Sequence, residues 1–205
     1  MTGDRRRAIF MDRDGTVLDE VGYVNHVDRV RLLPRSPEAV RRANDAGFQV
    51  VVVTNQAGVA RGYFPESLVT DVNDLLRALL AEHGARVDGI YYCPHHPAVG
   101  ESPYRKDCNC RKPRPGMLLR AAEEMGIDLA GSYIVGDTIK DVEAGHHVGA
   151  TTVMLRTGYG KGEMELHSAG WRHHPHHVAD DLLDAVAWIL GREAAVSVPS
   201  AADAP

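Results

Sequence analysis

The chain has 205 residues, of which 44% are hydrophobic and 25% charged, and its formal net charge is −5. This is the composition of a folded globular protein; it excludes disordered and fibrous chains, and the longest apolar runs are far shorter than the roughly 20 residues that cross a bilayer. The acidic excess predicts no nucleic-acid or membrane partner, and the apolar stretch after Arg5 to Arg7 is too short for a signal peptide, so we expect a cytoplasmic protein.

Short β-rich apolar runs alternate with segments of helical period, which is typical of βα units around a parallel sheet. Five strands are predicted, at 8–11, 48–53, 89–92, 133–135 and 151–155. Helices are predicted from an N-cap at Ser36 to Gly47, and over about 66–83, 116–125 and 180–190. We therefore expect an α/β fold with a five-stranded, mainly parallel sheet flanked by helices, as a single domain over 1–192, with a disordered tail over 193–205.

Two carboxylates follow the first strand, in Asp12-Arg13-Asp14-Gly15-Thr16. Residues two apart in an extended chain point to the same side, so Asp12 and Asp14 can project together from the carboxyl edge of the sheet, where open α/β sheets bind ligands. Because two close carboxylates repel each other, they need a cation such as Mg²⁺, which prefers oxygen ligands. The motif therefore predicts a magnesium site.

Polar side chains also follow the later strands. Thr54 and Asn55 end the second strand, Lys112 lies in the loop after the third, and Asp137 ends the fourth, with Asp141 four residues later. Each has an ordinary explanation by itself, such as a helix cap or a solvated charge. Together they place a hydroxyl, a cation and carboxylates at one edge, which favours phosphoryl transfer, a reaction that depends on positioning and charge neutralisation.

A Cys/His set lies in the long loop after the third strand. It consists of Cys93-Pro94-His95 and, after twelve intervening residues, Cys108-Asn109-Cys110. Three thiolates and one imidazole are the closed ligand set of a structural Zn²⁺ site, and an odd number of cysteines argues against disulfides. We predict a zinc-binding loop over 93–110, with His95 preferred to His96. Because four protein ligands leave no open position, this zinc should shape the loop and not activate water.

Four motifs in chain order resemble the haloacid dehalogenase superfamily of phosphotransferases: Asp12 to Thr16, Thr54, Lys112, and Gly136-Asp137 with Asp141. The resemblance implies a Rossmann-like fold and an aspartyl-phosphate mechanism, in which Asp12 attacks phosphorus and Asp14 protonates the leaving oxygen and then activates water. It also implies that Mg²⁺ is held by the carboxylates of Asp12 and Asp137 and by the backbone carbonyl of Asp14, with Thr54 and Lys112 as catalytic residues.

Within the superfamily, the segments 22–24, 54–62, 91–97 and 108–118 are similar to the heptose 1,7-bisphosphate 7-phosphatases. This resemblance covers nearly the whole chain through about Gly158. It implies a small phosphatase without a large cap domain, which hydrolyses a sugar phosphate on the route to nucleotide-activated heptose. We expect this protein to be a monomer. The substrate contacts that the resemblance implies are Glu20, Gly22, Tyr23, Thr54, Asn55, Gln56, Ala57, Arg111 and Lys112.

Three other interpretations remain. Histidinol-phosphate phosphatases are similar in the Asp motif and the Cys/His loop, but the twelve-residue separation of the ligand pairs favours the heptose family. A phospho-accepting receiver module also uses an Asp, a Thr and a Lys on a parallel sheet; Asp14 and the zinc loop count against it. A zinc-organised interaction domain without activity leaves the strand-end motifs unexplained. The histidines at 167–177 are expected to be solvated, although His-rich tracts can bind metal.

Overall fold

The computed structural model describes residues 6–196, which form a parallel sheet of six strands in the order β3-β2-β1-β4-β5-β6. The strands are β1 (Ala8–Met11), β2 (Gln49–Asn55), β3 (Gly89–Cys93), β4 (Tyr133–Gly136), β5 (Thr151–Leu155) and β6 (His177–Ala179). From β1 the chain runs outwards to β2 and β3 and then returns to the other side of β1 as β4. The strand order therefore reverses at β1, and ligands of open α/β sheets bind at such a switch point.

Helices cover both faces of the sheet. They are α1 (Ser36–Asp45), α2 (Glu66–Ala81), α3 (Gly116–Met125), α4 (Ile139–His147), α5 (Gly160–His167) and α6 (Leu182–Val196). Alternate residues of β1 enter different hydrophobic clusters: Ile9 and Met11 pack with α1, α2 and α6, whereas Ala8 and Phe10 pack with α3 and α4. Because both faces are buried, the strands are continuous apolar runs, as expected for a parallel sheet.

The prediction of five strands is wrong by one. The missed strand, β6, pairs with β5 at the edge of the sheet through His177–Ala179. It has only three residues, begins with His177 and follows three histidines within four positions, so no apolar run predicts it. The helix α5 is also not predicted by the sequence patterns.

Two predicted element ends are also corrected. Ser36 is not an N-cap but lies inside α1, where its Oγ donates to the Val17 carbonyl, and Arg35 precedes it with a φ of 67°. The last helix, α6, continues to Val196, beyond residue 192, where the domain was expected to end. The remainder of the expected tail, 197–205, lies outside the described residues.

Two long connections follow β1 and β3. The first runs from Asp12 to Arg35 and contains a single 3-10 turn, Val27–Arg29; the second runs from Pro94 to Pro115 and contains no helix. Within 6–196 neither connection contains a separately folded domain. None of the helices in this part of the chain has the length and apolarity to cross a membrane.

Candidate active site

The carboxyl ends of β1, β2 and β4 bring the predicted catalytic residues together. Lys112 is buried, and its Nζ lies 3.0 Å from Asp12 Oδ1 and donates to the Val53 carbonyl at 2.7 Å and to the Asp141 carboxylate. The Lys112 backbone is held as well, because its N–H donates to Asn55 Oδ1 and its carbonyl accepts from Asn55 Nδ2, each at 3.0 Å. The ammonium group is thus fixed beside the expected nucleophile.

Three carboxylates converge next to this lysine. Oxygens of Asp12, Asp137 and Asp141 all lie within 4.8 Å of one another. Asp141 is engaged as part of the capping box of α4 with Thr138. One oxygen of Asp137 accepts from the Tyr159 N–H at 2.8 Å, whereas the other, Oδ1, is buried with no hydrogen-bond partner among the described residues. A buried, unpartnered carboxylate oxygen needs a cation, and an all-oxygen set fits Mg²⁺.

The electrostatics of this cluster agree with that fit. Burial raises the pKa of Asp12 to about 7, against the effect of Lys112 and with the help of Asp141. Burial and the charge of Asp12 raise the pKa of Asp137 to about 8. Burial acts to lower the pKa of Lys112, but the charges of Asp12 and Asp141 outweigh it, and that pKa is raised. The carboxylates exceed the positive charge that Lys112 supplies, so their ionised form requires a further cation.

The Asp14 side chain is held away from the three carboxylates. Its Oδ1 accepts from Arg13 Nε at 3.2 Å, and its Oδ2 accepts from Arg13 Nη2 at 3.0 Å and from Gln56 Nε2 at 2.8 Å. The same Gln56 nitrogen donates to Thr54 Oγ1 at 2.9 Å. Gln56 therefore joins the end of β2 to the carboxylate expected to act as acid and base.

A cleft of about 230 Å³ opens above these residues. The residues expected to contact substrate all line it: Glu20, Gly22, Tyr23, Thr54, Asn55, Gln56, Ala57, Arg111 and Lys112. Five lining residues were missed by the sequence reasoning: Val24, Gly58, Thr138, Lys140 and Tyr159. The sequence carries a signal for Tyr159, because the loop after β5 begins at the same sheet edge as the other strand ends.

The Cys/His set also converges. The three sulfur atoms lie 3.2 to 3.5 Å apart, and His95 Nδ1 lies 3.3 Å from Cys110 Sγ and 3.7 Å from Cys93 Sγ. These separations are near the edge of about 3.8 Å in a tetrahedron of Zn–S bonds. His96 is not part of the set, since its Nδ1 accepts from the Ala98 N–H at 3.1 Å. The residues therefore fit a four-coordinate Zn²⁺.

The histidines near β6 pack against one another and against tryptophan. The His146 ring stacks on His173 and His176, with centroids 4.7 and 5.0 Å apart, and His177 stacks on Trp188 at 4.4 Å. His176 Nδ1 accepts from the Thr152 N–H at 3.1 Å. Within 6–196, their nitrogen atoms do not form a convergent ligand set.

Comparison with known proteins identifies the family. A family model described as HAD-hydrolase-like matches residues 109–185. The D-glycero-beta-D-manno-heptose-1,7-bisphosphate 7-phosphatase of Pasteurella multocida (strain Pm70) is 44% identical over 154 residues, which are 75% of this chain and 83% of that protein. The protein of the same name from Escherichia coli (strain K12) is 45% identical over 153 residues, 74% of this chain and 80% of that one.

A solved structure agrees with these relatives. The D,D-heptose 1,7-bisphosphate phosphatase from B. bronchiseptica, complexed with magnesium and phosphate, matches with a TM-score of 0.81 and 33% identity, over 91% of this chain and 99% of that one. These similarities confirm the resemblance found in the motifs: the chain belongs to the family of the D-glycero-beta-D-manno-heptose-1,7-bisphosphate 7-phosphatases, among the haloacid dehalogenase-like hydrolases.

Proposed function

We propose that this protein is a Mg²⁺-dependent phosphatase that removes the 7-phosphate of D-glycero-D-manno-heptose 1,7-bisphosphate, on the route to nucleotide-activated heptose. The observation that carries the proposal is that Asp12, Lys112 and Asp137, one of whose oxygens is unpartnered, line the same cleft as Glu20 and Arg111. The names of its relatives support the choice of substrate.

The proposed reaction proceeds in two steps. The Asp12 carboxylate attacks phosphorus, and the bond from phosphorus to the sugar oxygen breaks as Asp14 gives that oxygen a proton. Asp14 then takes a proton from the water that hydrolyses the aspartyl phosphate. Lys112 neutralises charge beside Asp12, and the Thr54 hydroxyl, which accepts from Gln56, keeps its own hydrogen for a phosphoryl oxygen. Mg²⁺ bound by Asp12, Asp137 and the Asp14 carbonyl would supply positive charge to the phosphoryl group.

The Cys/His set bears on the second metal of the protein and on its location in the cell. We infer that Cys93, His95, Cys108 and Cys110 hold a structural Zn²⁺ that places Arg111 at the cleft. Thiolate ligands persist in a reducing compartment, which supports a cytoplasmic location. We also propose that the protein acts as a single phosphatase domain on a small sugar phosphate and that it is a monomer.

A comparison of two substrates tests the proposed specificity. The specificity constant, kcat/KM, is measured with anomerically defined heptose 1,7-bisphosphate and with histidinol phosphate, and the phosphate released from the heptose is located by NMR. We expect kcat/KM to be higher for the heptose and the product to be heptose 1-phosphate. A higher value for histidinol phosphate would reject the substrate assignment, and no release from any sugar phosphate would reject the enzyme.

Two isosteric substitutions test the assigned roles. Asp12→Asn removes the nucleophile and should abolish turnover, whereas Asp14→Asn removes the proton donor and should lower kcat by about 10²- to 10⁴-fold. Turnover is measured with Mg²⁺ present, and circular dichroism serves as the control for folding. Full activity in either variant would contradict the mechanism.

A further inference from the structure

An arginine next to the catalytic motif is almost completely enclosed. The Arg13 side chain is 1% exposed and is the largest of the fully buried side chains within 6–196. Burying a guanidinium is costly unless its N–H groups are hydrogen-bonded, so the partners of these groups indicate the role of Arg13. Two of its nitrogens, Nε and Nη2, donate to the two oxygens of Asp14 at 3.2 and 3.0 Å, a bidentate arrangement that fixes both the position and the plane of the carboxylate.

The third nitrogen is held by a helix on the other side. Arg13 Nη1 donates to Asn73 Oδ1 at 3.0 Å. Asn73 lies on α2, on the face that otherwise buries Val69, Val72, Leu76 and Leu80. An amide among apolar neighbours is costly unless it is hydrogen-bonded, and Arg13 provides that bond.

Neither Arg13 nor Asn73 lines the cleft, so neither is placed to touch a substrate. Their hydrogen bonds instead form a chain from α2 through the guanidinium to Asp14, while Gln56 holds the same carboxylate from the side of β2. We propose that Arg13 and Asn73 are positioning residues: Asn73 orients the Arg13 guanidinium, and the guanidinium holds Asp14 at the angle at which it serves the leaving oxygen.

This inference rests on the proposed phosphatase activity, and it predicts a dependence on the leaving group. In the first step the bond from Asp12 to phosphorus forms, the ester bond breaks, and the Asp14 proton passes to the departing oxygen. A sugar alkoxide needs that proton, whereas p-nitrophenolate is stable enough to leave without it. A misplaced Asp14 should therefore slow the cleavage of a sugar phosphate much more than that of p-nitrophenyl phosphate.

Asn73→Leu removes the acceptor at nearly constant volume, and Asn73→Asp is the matched control that keeps an oxygen for Arg13. The rate of the first step is measured in single turnovers with a sugar phosphate and as the burst of p-nitrophenol from p-nitrophenyl phosphate, both with Mg²⁺. We expect Asn73→Leu to lower the rate of the first step by about 10- to 100-fold with the sugar phosphate. The rate of the p-nitrophenol burst should fall by less than about 3-fold. With Asn73→Asp, the rate of the first step with the sugar phosphate should stay within about 3-fold of the wild-type rate.

An equal loss on both esters, no loss on either, or a failure of Asn73→Asp to restore activity would overturn the positioning role. If Asn73→Leu does not fold by circular dichroism, the smaller Asn73→Ala carries the same expectations. The wild-type protein separates this inference from the substrate proposal: if it prefers another sugar phosphate to the heptose bisphosphate, the substrate proposal fails and the ratio is measured on the preferred ester.

Discussion

At the scale of single residues, Gly15 and Asp137 constrain each other. Gly15 has a φ of 80°, and a Cβ at this position would overlap the Asp137 carboxylate. Gly158, also with positive φ, approaches the same carboxylate oxygen, and the Tyr159 N–H donates to that carboxylate. The glycines are required here for space as well as for backbone freedom, because the expected magnesium ligand fills the room that a side chain would need.

The substitution Gly15→Ala is therefore expected to displace Asp137 and to lower both Mg²⁺ affinity and activity by about 100-fold or more, the size of effect that a displaced active-site group produces. Gly47→Ala is the matched control, since its φ of 84° imposes a similar backbone strain with nothing within 4 Å of the added Cβ. Isothermal titration with Mg²⁺ and steady-state kinetics check both variants. Equal losses in the two would contradict the role of space at position 15.

The carboxylate cluster predicts a pH dependence of stability. In the unfolded chain these carboxyl groups titrate near 4, but in the folded protein the pKa values of Asp12 and Asp137 are raised to about 7 and about 8. Between about pH 4 and about pH 8 the metal-free folded state binds more protons than the unfolded state. The free energy of unfolding therefore falls as the pH rises through this window.

Mg²⁺ takes the place of those protons, so the increase in Tm on adding Mg²⁺ should be larger at about pH 8.5 than at about pH 5. Thermal unfolding with and without Mg²⁺ at the two pH values measures the difference. Asp137→Asn, which removes a charged ligand at constant size, should lose most of the increase at the higher pH. The same increase in Tm at both pH values would be evidence against this site as the place where the ion binds.

At the scale of elements, the zinc loop and β2 hold neighbouring residues by independent means. Arg111 directly follows Cys110, an expected zinc ligand, and its Nη1 donates to the His95 carbonyl at 3.2 Å. Lys112, one residue later, is tied to Asn55 of β2 by two hydrogen bonds and does not depend on the metal ligands for its place. Arg111, which is expected to contact the sugar phosphate, is thus held by the loop, whereas Lys112, which is expected to act in the chemical step, is held by β2.

Removal of zinc should therefore affect binding more than chemistry. We expect Cys108→Ser to lose the metal and to raise KM by about 10-fold, the cost of one charged contact, while kcat falls by less than about 3-fold. Metal analysis and steady-state kinetics measure both effects, and His96→Gln is the control, which should retain one zinc per chain. A larger loss in kcat than in binding would show that Lys112 also depends on the loop.

At the scale of the whole molecule, α1 and α6 close one face of the sheet. Ile189 of α6 is fully buried in the cluster that contains Ile9 and Met11 of β1. The helix is extended to Val196, and Glu193, in its last part, accepts from the Tyr133 hydroxyl of β4. The strand that carries Asp12 is therefore supported from behind by the C-terminal helix.

Ile189→Ala should lower the free energy of unfolding by about 2–5 kcal/mol, since it leaves a cavity in a closely packed face. Leu119→Ala on α3 is the control, because Leu119 is exposed and its truncation should cost less than about 0.5 kcal/mol. Urea denaturation measures both. Similar costs for the two variants would mean that α6 does not pack as described.

The sequence patterns predict the residue types of the site and a parallel sheet flanked by helices, but not the edge strand β6. Strand-end residues such as Asp12, Thr54 and Asp137 could be recognised because parallel strands carry their ends to one edge, and the Cys/His set because its ligand chemistry is specific. The contacts between distant segments become visible in the folded chain alone: Asn73 accepts from Arg13, the Tyr159 N–H donates to Asp137, and β6 extends the sheet. These contacts depend on packing across tens of residues, and no local period or spacing in the sequence encodes them.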